Sequence, residues 1–144
     1  MFTMLIITLA TLAVALTLHY FNLTLLVDTL CSKTSKRYLR MQIVVMAGAI
    51  NQVTISALFC LTYVAGVELG LGEFKDGGNF KDIFYFSLTT ITTLGLGSTQ
   101  PTEDLKMVAG LESALGFLLI TCTGSKLYSY MSGKSDSDNK GNGE

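Results

Sequence analysis

Charge is scarce in this chain of 144 residues: 15% are Asp, Glu, Lys or Arg, against 49% hydrophobic. A soluble domain carries roughly 25% charged residues, so too few are present to wet a surface. The first charged side chain is Asp28, none falls between Arg40 and Glu68, and only Glu112 lies between Lys106 and Lys126. A soluble globular enzyme is not expected, and the composition reads as an integral membrane protein. A single histidine, His19, excludes a histidine-rich zinc site, and Cys31, Cys60 and Cys122 contain no C-x-x-C pair. Cys60 and Cys122 sit in apolar segments and read as small buried hydrophobes rather than redox groups. Net charge is -1 with no long basic run, so nucleic acid is not an expected partner. No nucleophile and base form a pair, so neither an enzyme nor a cofactor is expected.

What is present is three long apolar stretches. A helix needs roughly 20 residues to cross a bilayer core of about 30 Å. Residues 1–27 can cross once. They do not read as a secretory signal, because no Lys or Arg precedes Lys33 and the apolar run is too long. Residues 28–40 carry Lys33, Lys36, Arg37 and Arg40 against Asp28 and form the most basic connection. The positive-inside rule keeps this linker in the cytoplasm and puts the N-terminus outside. Two arginines, neither within an apolar run, do not make a voltage-sensing helix. The second crossing is 41–67, with Asn51, Gln52, Thr54 and Ser56 near its middle as packing groups against a neighbouring helix. Gly70, Gly72, Gly77 and Gly78 then mark a flexible outer loop.

Residues 80–92 are too short to cross, reaching only about 20 Å as a helix. Such a segment is expected to be re-entrant, its C-terminal end pointing a negative dipole into the membrane, where a cation is favoured. Thr93, Leu94, Gly95, Leu96 and Gly97 follow directly. Non-helical backbone at membrane depth is tolerated where protein buries it or where it lines a water-filled path. To aim successive carbonyls one way, an extended chain must switch hand at every second residue. Glycine accepts positive φ at little steric cost, so Gly95 and Gly97 suit such a ladder, with the Thr93 hydroxyl completing its inner end. Four such loops around an axis replace the water shell of a cation.

Residues 84–101, F-Y-F-S-L-T-T-I-T-T-L-G-L-G-S-T-Q-P, resemble the pore loop of potassium channels of the two-transmembrane-pore type. The usual signature T-T-V-G-Y-G-D, with a proline three positions later, maps onto Thr92, Thr93, Leu94, Gly95, Leu96, Gly97 and Ser98, with Pro101 in the proline position. The sequence after it, L-K-M-V-A-G-L-E-S-A-L-G-F-L-L-I, is similar to the inner helix of small bacterial members. The resemblance implies an all-α membrane fold with a pore domain over 41–130: outer helix 41–67, pore helix 80–92, filter 93–97 and inner helix 104–130. Residues 1–27 form an additional N-terminal helix. It implies a homotetramer, since each chain supplies one filter strand, and potassium as the permeant ligand at Thr93, Leu94, Gly95 and Leu96.

Thr92, Ser98 and Glu112 are the expected filter supports. Glu112, the one acid inside an apolar run, is read as bracing the pore helix through hydroxyls of the threonine band rather than touching ions. Gly116 is the candidate gating hinge, or else a packing glycine. Leu96 stands where the family has an aromatic and Ser98 where it has an acid, so a weakly selective monovalent cation channel is the alternative. A non-conducting membrane subunit of the same fold is a further one.

The polar tail, 131–144, is expected to be disordered and cytoplasmic. Between Glu68 and Lys106, six acids face three lysines, a balance of -3 per chain on the expected outer side. A multi-pass cell-membrane protein follows, with self-association, the lipid bilayer and potassium ions as its partners.

Overall fold

The computed structural model describes residues 1–75, 77–96 and 99–132. The expected filter residue Gly97, the support Ser98 and the tail from residue 133 lie outside the described residues. The elements are α1 (Phe2–Phe21), a π-helical turn (Asn22–Leu26), α2 (Val27–Ser32), α3 (Arg37–Glu68), α4 (Phe80–Ile91) and α5 (Leu105–Met131). Among the described residues there is no strand, only a single bridge between Phe74 and Pro101. Phe2–Ser32, Arg37–Glu68 and Leu105–Met131 are each long and apolar enough to cross a membrane. The fold is that of an all-α membrane protein. α4, with 12 residues, spans about 18 Å.

The helical run that begins at Phe2 continues through Asp28 to Ser32, so the polar connection expected over 28–40 narrows to residues 33–36. The reason is that Asp28 finds partners on α5. Lys126 Nζ lies 2.7 Å from its Oδ1, and the Tyr130 hydroxyl donates to Oδ1 at 2.8 Å. With the carboxylate paired, nothing in Val27–Ser32 opposes the helix. The break comes at Lys36, whose backbone is extended (φ -83°, ψ 118°).

α1 presents Met4, Thr8, Thr11, Ala15 and His19 to the bundle, a stripe repeating every three or four residues. Met4 and Ala15 join the apolar core with α3, and two polar pairs tie the same helices together. The Thr11 and Thr62 hydroxyls are 2.9 Å apart, and Asn51 Nδ2 lies 2.8 Å from His19 Nδ1. Lipid tails are as apolar as leucine, so small side chains and hydrogen bonds, not aliphatic burial, join helices in a bilayer.

The larger core lies where α4 fits between α3 and α5. Ile55, Phe59 and Tyr63 of α3, Ile83 and Ile91 of α4, and Leu105, Val108, Leu115 and Leu119 of α5 are buried there. On α5 the buried positions Leu105, Val108, Glu112, Leu115, Gly116 and Leu119 follow helical spacing, so one face of the helix meets the bundle.

The His19–Asn51 contact gives the first prediction. A double-mutant cycle with His19→Ala and Asn51→Ala, read by unfolding in detergent, should return a coupling of about 1 kcal/mol. Strictly additive single changes would mean the pair does not join α1 to α3.

Candidate functional site

α4 is started by its own sequence. The Asn79 side chain accepts from the backbone N–H of Lys81 (2.9 Å) and Asp82 (3.2 Å). Asp82 accepts in return from Asn79 N–H (3.3 Å). This reciprocal cap satisfies donors that a helix start leaves open. At the other end, Thr92 is the C-cap, and its hydroxyl donates to Leu88 O at 2.7 Å.

The chain then leaves the helix while staying tied to it. Thr93 N–H donates to Thr90 O (2.9 Å), and Thr89 O accepts from Leu94 N–H (2.8 Å) and Gly95 N–H (3.1 Å). Thr93 has φ 60° and Gly95 φ 63°, so left-handed residues alternate with ordinary ones. That alternation keeps successive carbonyls from pointing to opposite sides. Gly95 takes this conformation freely, whereas Thr93 takes it at a cost that only its surroundings hold in place. Among the described residues, no N–H or hydroxyl donates to the carbonyls of Thr93, Leu94, Gly95 or Leu96. Leu94 and Leu96 are bare as well, 62% and 67% exposed.

Behind this loop, α4 is gripped at three levels. Near its end, the Ile91 carbonyl oxygen lies 1.8 Å from where a Cβ on Gly116 would sit. Gly116 is therefore the position at which α5 lets the α4 backbone approach, and α5 runs through it as unbroken helix.

One turn higher, Glu112 is fully buried. Its Oε2 accepts from the Tyr63 hydroxyl of α3 at 2.6 Å. Its Oε1 lies 2.5 Å from Ser87 Oγ of α4, which is also 2.8 Å from the Ser56 carbonyl of α3. The expected bracing through threonine hydroxyls is thus made by a serine and a tyrosine instead. Two of the threonines are turned back on their own helix: Thr89 donates to Phe86 O at 2.9 Å, and Thr92 to Leu88 O.

The third grip is aromatic. Tyr63, Phe74 and Phe86 form a triangle of edge-to-face contacts with centroids 5.5 to 5.6 Å apart, a favoured geometry for such rings.

Phe74 comes from the segment between α3 and α4, which is held more firmly than its glycines imply. Lys75 N–H donates to Gln100 O (2.9 Å) and Thr102 N–H to Glu73 O (2.8 Å). The bonds fall on either side of Pro101, so its missing N–H leaves no gap in this short ladder. The segments before α4 and after the loop are thereby fastened together.

The family model for ion channels matches residues 43–132, more than half of the chain. The chain belongs to the ion channel family. No curated protein and no solved structure matches it. The matched range holds most of α3, all of α4, the loop after it and α5; α1 and α2 lie outside it. The chain is a multi-pass membrane protein built on an ion channel domain. Within that domain, Thr92, Thr93, Leu94, Gly95 and Leu96 form one continuous stretch at the end of α4, with Gly116 and Glu112 behind the helix.

Tyr63, Ser87 and Phe74 were missed by sequence reasoning. A signal was available for the first two. A carboxyl inside an apolar run needs hydroxyl or amide partners, and Tyr63 and Ser87 are hydroxyls within neighbouring apolar segments.

Gly116→Ala would drive a Cβ into the Ile91 carbonyl, whereas at Gly110 nothing lies within 4 Å of an added Cβ. Gly116→Ala should cost about 1–3 kcal/mol by overpacking and Gly110→Ala less, measured by thermal unfolding in detergent. Equal costs would show that α4 and α5 do not meet through Gly116.

Proposed function

We propose that this ion channel is a potassium-selective homotetramer passing dehydrated cations through the backbone carbonyls of Thr93 to Gly97. The observation that carries the reading is the loop after α4, where alternate left-handed residues and unpaired carbonyls occur together. A bare carbonyl at membrane depth is costly unless something takes the place of water. A dehydrated cation does so when several carbonyls surround it. One chain offers one ladder, and four around an axis enclose the ion.

Two further features support this reading. The C-terminal end of α4 faces the loop, and the partial negative charge of its carbonyls favours a cation there. Leu94 and Leu96, bare in one chain, gain cover once copies surround the axis. In this arrangement 41–67 is the outer helix, 80–92 the pore helix, 93–97 the filter and 104–130 the inner helix. The N-terminus lies outside and the tail in the cytoplasm, with the basic residues Lys33, Lys36, Arg37 and Arg40 on the cytoplasmic side. Four chains then bring the -3 of each outer segment to one mouth, which concentrates cations at low ionic strength.

A second reading, a weakly selective monovalent cation channel, is favoured by Leu96. Leucine has no hydroxyl to send into the protein behind the filter, and Ser98 has no carboxylate. Fewer outer contacts leave the carbonyls easier to displace, and selectivity that depends on their number and placement softens.

Flux measurements in liposomes test both readings. Gly95→Ala puts a Cβ on a residue with φ 63°, costing roughly 1 kcal/mol in every subunit, and should abolish potassium flux. Normal flux through that variant would show that Gly95 is not in the filter. Reversal potentials in mixed potassium and sodium separate the two readings. The double replacement Leu96→Tyr with Ser98→Asp should raise the potassium preference more than either change alone, because both contacts brace one structure. An unchanged ratio would leave selectivity to the Thr93–Gly97 backbone alone.

A further inference from the structure

The loop hangs from α4 through Thr89 O and Thr90 O, so wherever α4 sits, the carbonyls of Thr93 to Leu96 follow. Ser87 lies two residues before Thr89 and is fully buried. It is the side chain through which α4 is hydrogen-bonded to both α3 and α5.

The hydroxyl hydrogens of this cluster fall one short of its oxygen–oxygen contacts. The Tyr63 hydroxyl gives its hydrogen to Glu112 Oε2. Ser87 has one hydroxyl hydrogen but two oxygen neighbours, the Ser56 carbonyl at 2.8 Å and Glu112 Oε1 at 2.5 Å. Both separations are hydrogen-bond lengths, and two oxygens at such distances repel without a hydrogen between them. A single additional hydrogen, on the Glu112 carboxyl, completes the set. Tyr63 then donates to one carboxyl oxygen, the carboxyl donates to Ser87, and Ser87 donates to the Ser56 carbonyl. No donor is wasted and no net charge is buried among apolar helices.

We propose that Tyr63 and Ser87 are positioning residues for the filter, acting through a Glu112 side chain held as a neutral carboxylic acid. The positioning role rests on the filter reading above. Where Leu96 has no hydroxyl and Ser98 no carboxylate to brace the side of the filter, a chain from behind the helix that carries it supplies the support. Tyr63 suits this task because its ring is already locked in the triangle with Phe74 and Phe86, which leaves its hydroxyl aimed at one point.

The test uses the full chain in liposomes, with the potassium-over-sodium permeability ratio as the readout. Tyr63→Phe keeps the ring and removes only the hydroxyl, and Ser87→Ala removes the link on α4. Each should lower the ratio roughly fivefold, the effect of one hydrogen bond. Glu112→Gln should leave the ratio unchanged, since its amide N–H can donate to Ser87 while its carbonyl accepts from Tyr63. Glu112→Ala should lower it as Tyr63→Phe does. A conducting channel whose ratio is unmoved by both Tyr63→Phe and Ser87→Ala overturns the positioning role and leaves the filter reading standing. A wild type that passes no potassium overturns both. Infrared spectra at neutral pH test the proton without conduction. The carbonyl-stretch band of an undissociated carboxyl should be present in the wild type and absent from Glu112→Gln. Its absence from the wild type, or a Glu112→Gln channel as impaired as Glu112→Ala, overturns the neutral acid.

Discussion

A carboxyl group sealed between three helices has few ways to be tolerated, and Glu112 meets that constraint by recruiting one hydroxyl from each neighbour. Tyr63 fixes the position of α3 relative to α5, and Ser87 fixes that of α4 relative to both. A rotation or slide of α4 would leave at least one buried polar atom without its partner, at a cost of about 1–3 kcal/mol. Aliphatic packing alone specifies position less sharply, because methyl groups accept many neighbours. The cluster therefore sets the depth and rotation of a helix that is too short to be located by the membrane.

The loop that follows depends on this placement. α4 ends where Ile91 meets Gly116, and Thr89 and Thr90 supply the carbonyls from which Thr93, Leu94 and Gly95 are suspended. The paired segments around Phe74 and Pro101 hold the far end. A loop secured at both ends can keep Thr93 in a left-handed conformation that a free chain would abandon.

α1 and α2 stand apart from this machinery, outside the range matched to the ion channel family. They are nonetheless joined to it by pairs of polar side chains along their length: Thr11 with Thr62, His19 with Asn51, and Asp28 with Lys126 and Tyr130. The last of these ties the end of the first membrane helix to the end of α5. A movement of α5 at that end must carry α2 with it or break a charged contact.

Much of the fold was legible in the chain because lipid imposes length and continuity on any helix that crosses it. Three long apolar stretches, a short fourth segment and a T-L-G-L-G run declare themselves without reference to anything distant. Asn79 and Asp82 start α4 through contacts only two or three residues apart. Gly95 could be assigned to a left-handed position from its residue type, but Thr93 could not, because β-branched residues take that conformation only when tertiary contacts hold them there. The partners of Glu112 also required the folded chain, since Tyr63 and Ser87 lie 49 and 25 residues away. Gly116 suits a hinge or a close contact by residue type, and its approach to the Ile91 carbonyl exists only in the folded chain. Local chemistry determined where helices begin, end and turn. Only packing decided which side chains share a buried space, because that depends on the depth and rotation of separate helices, which sequence spacing does not encode.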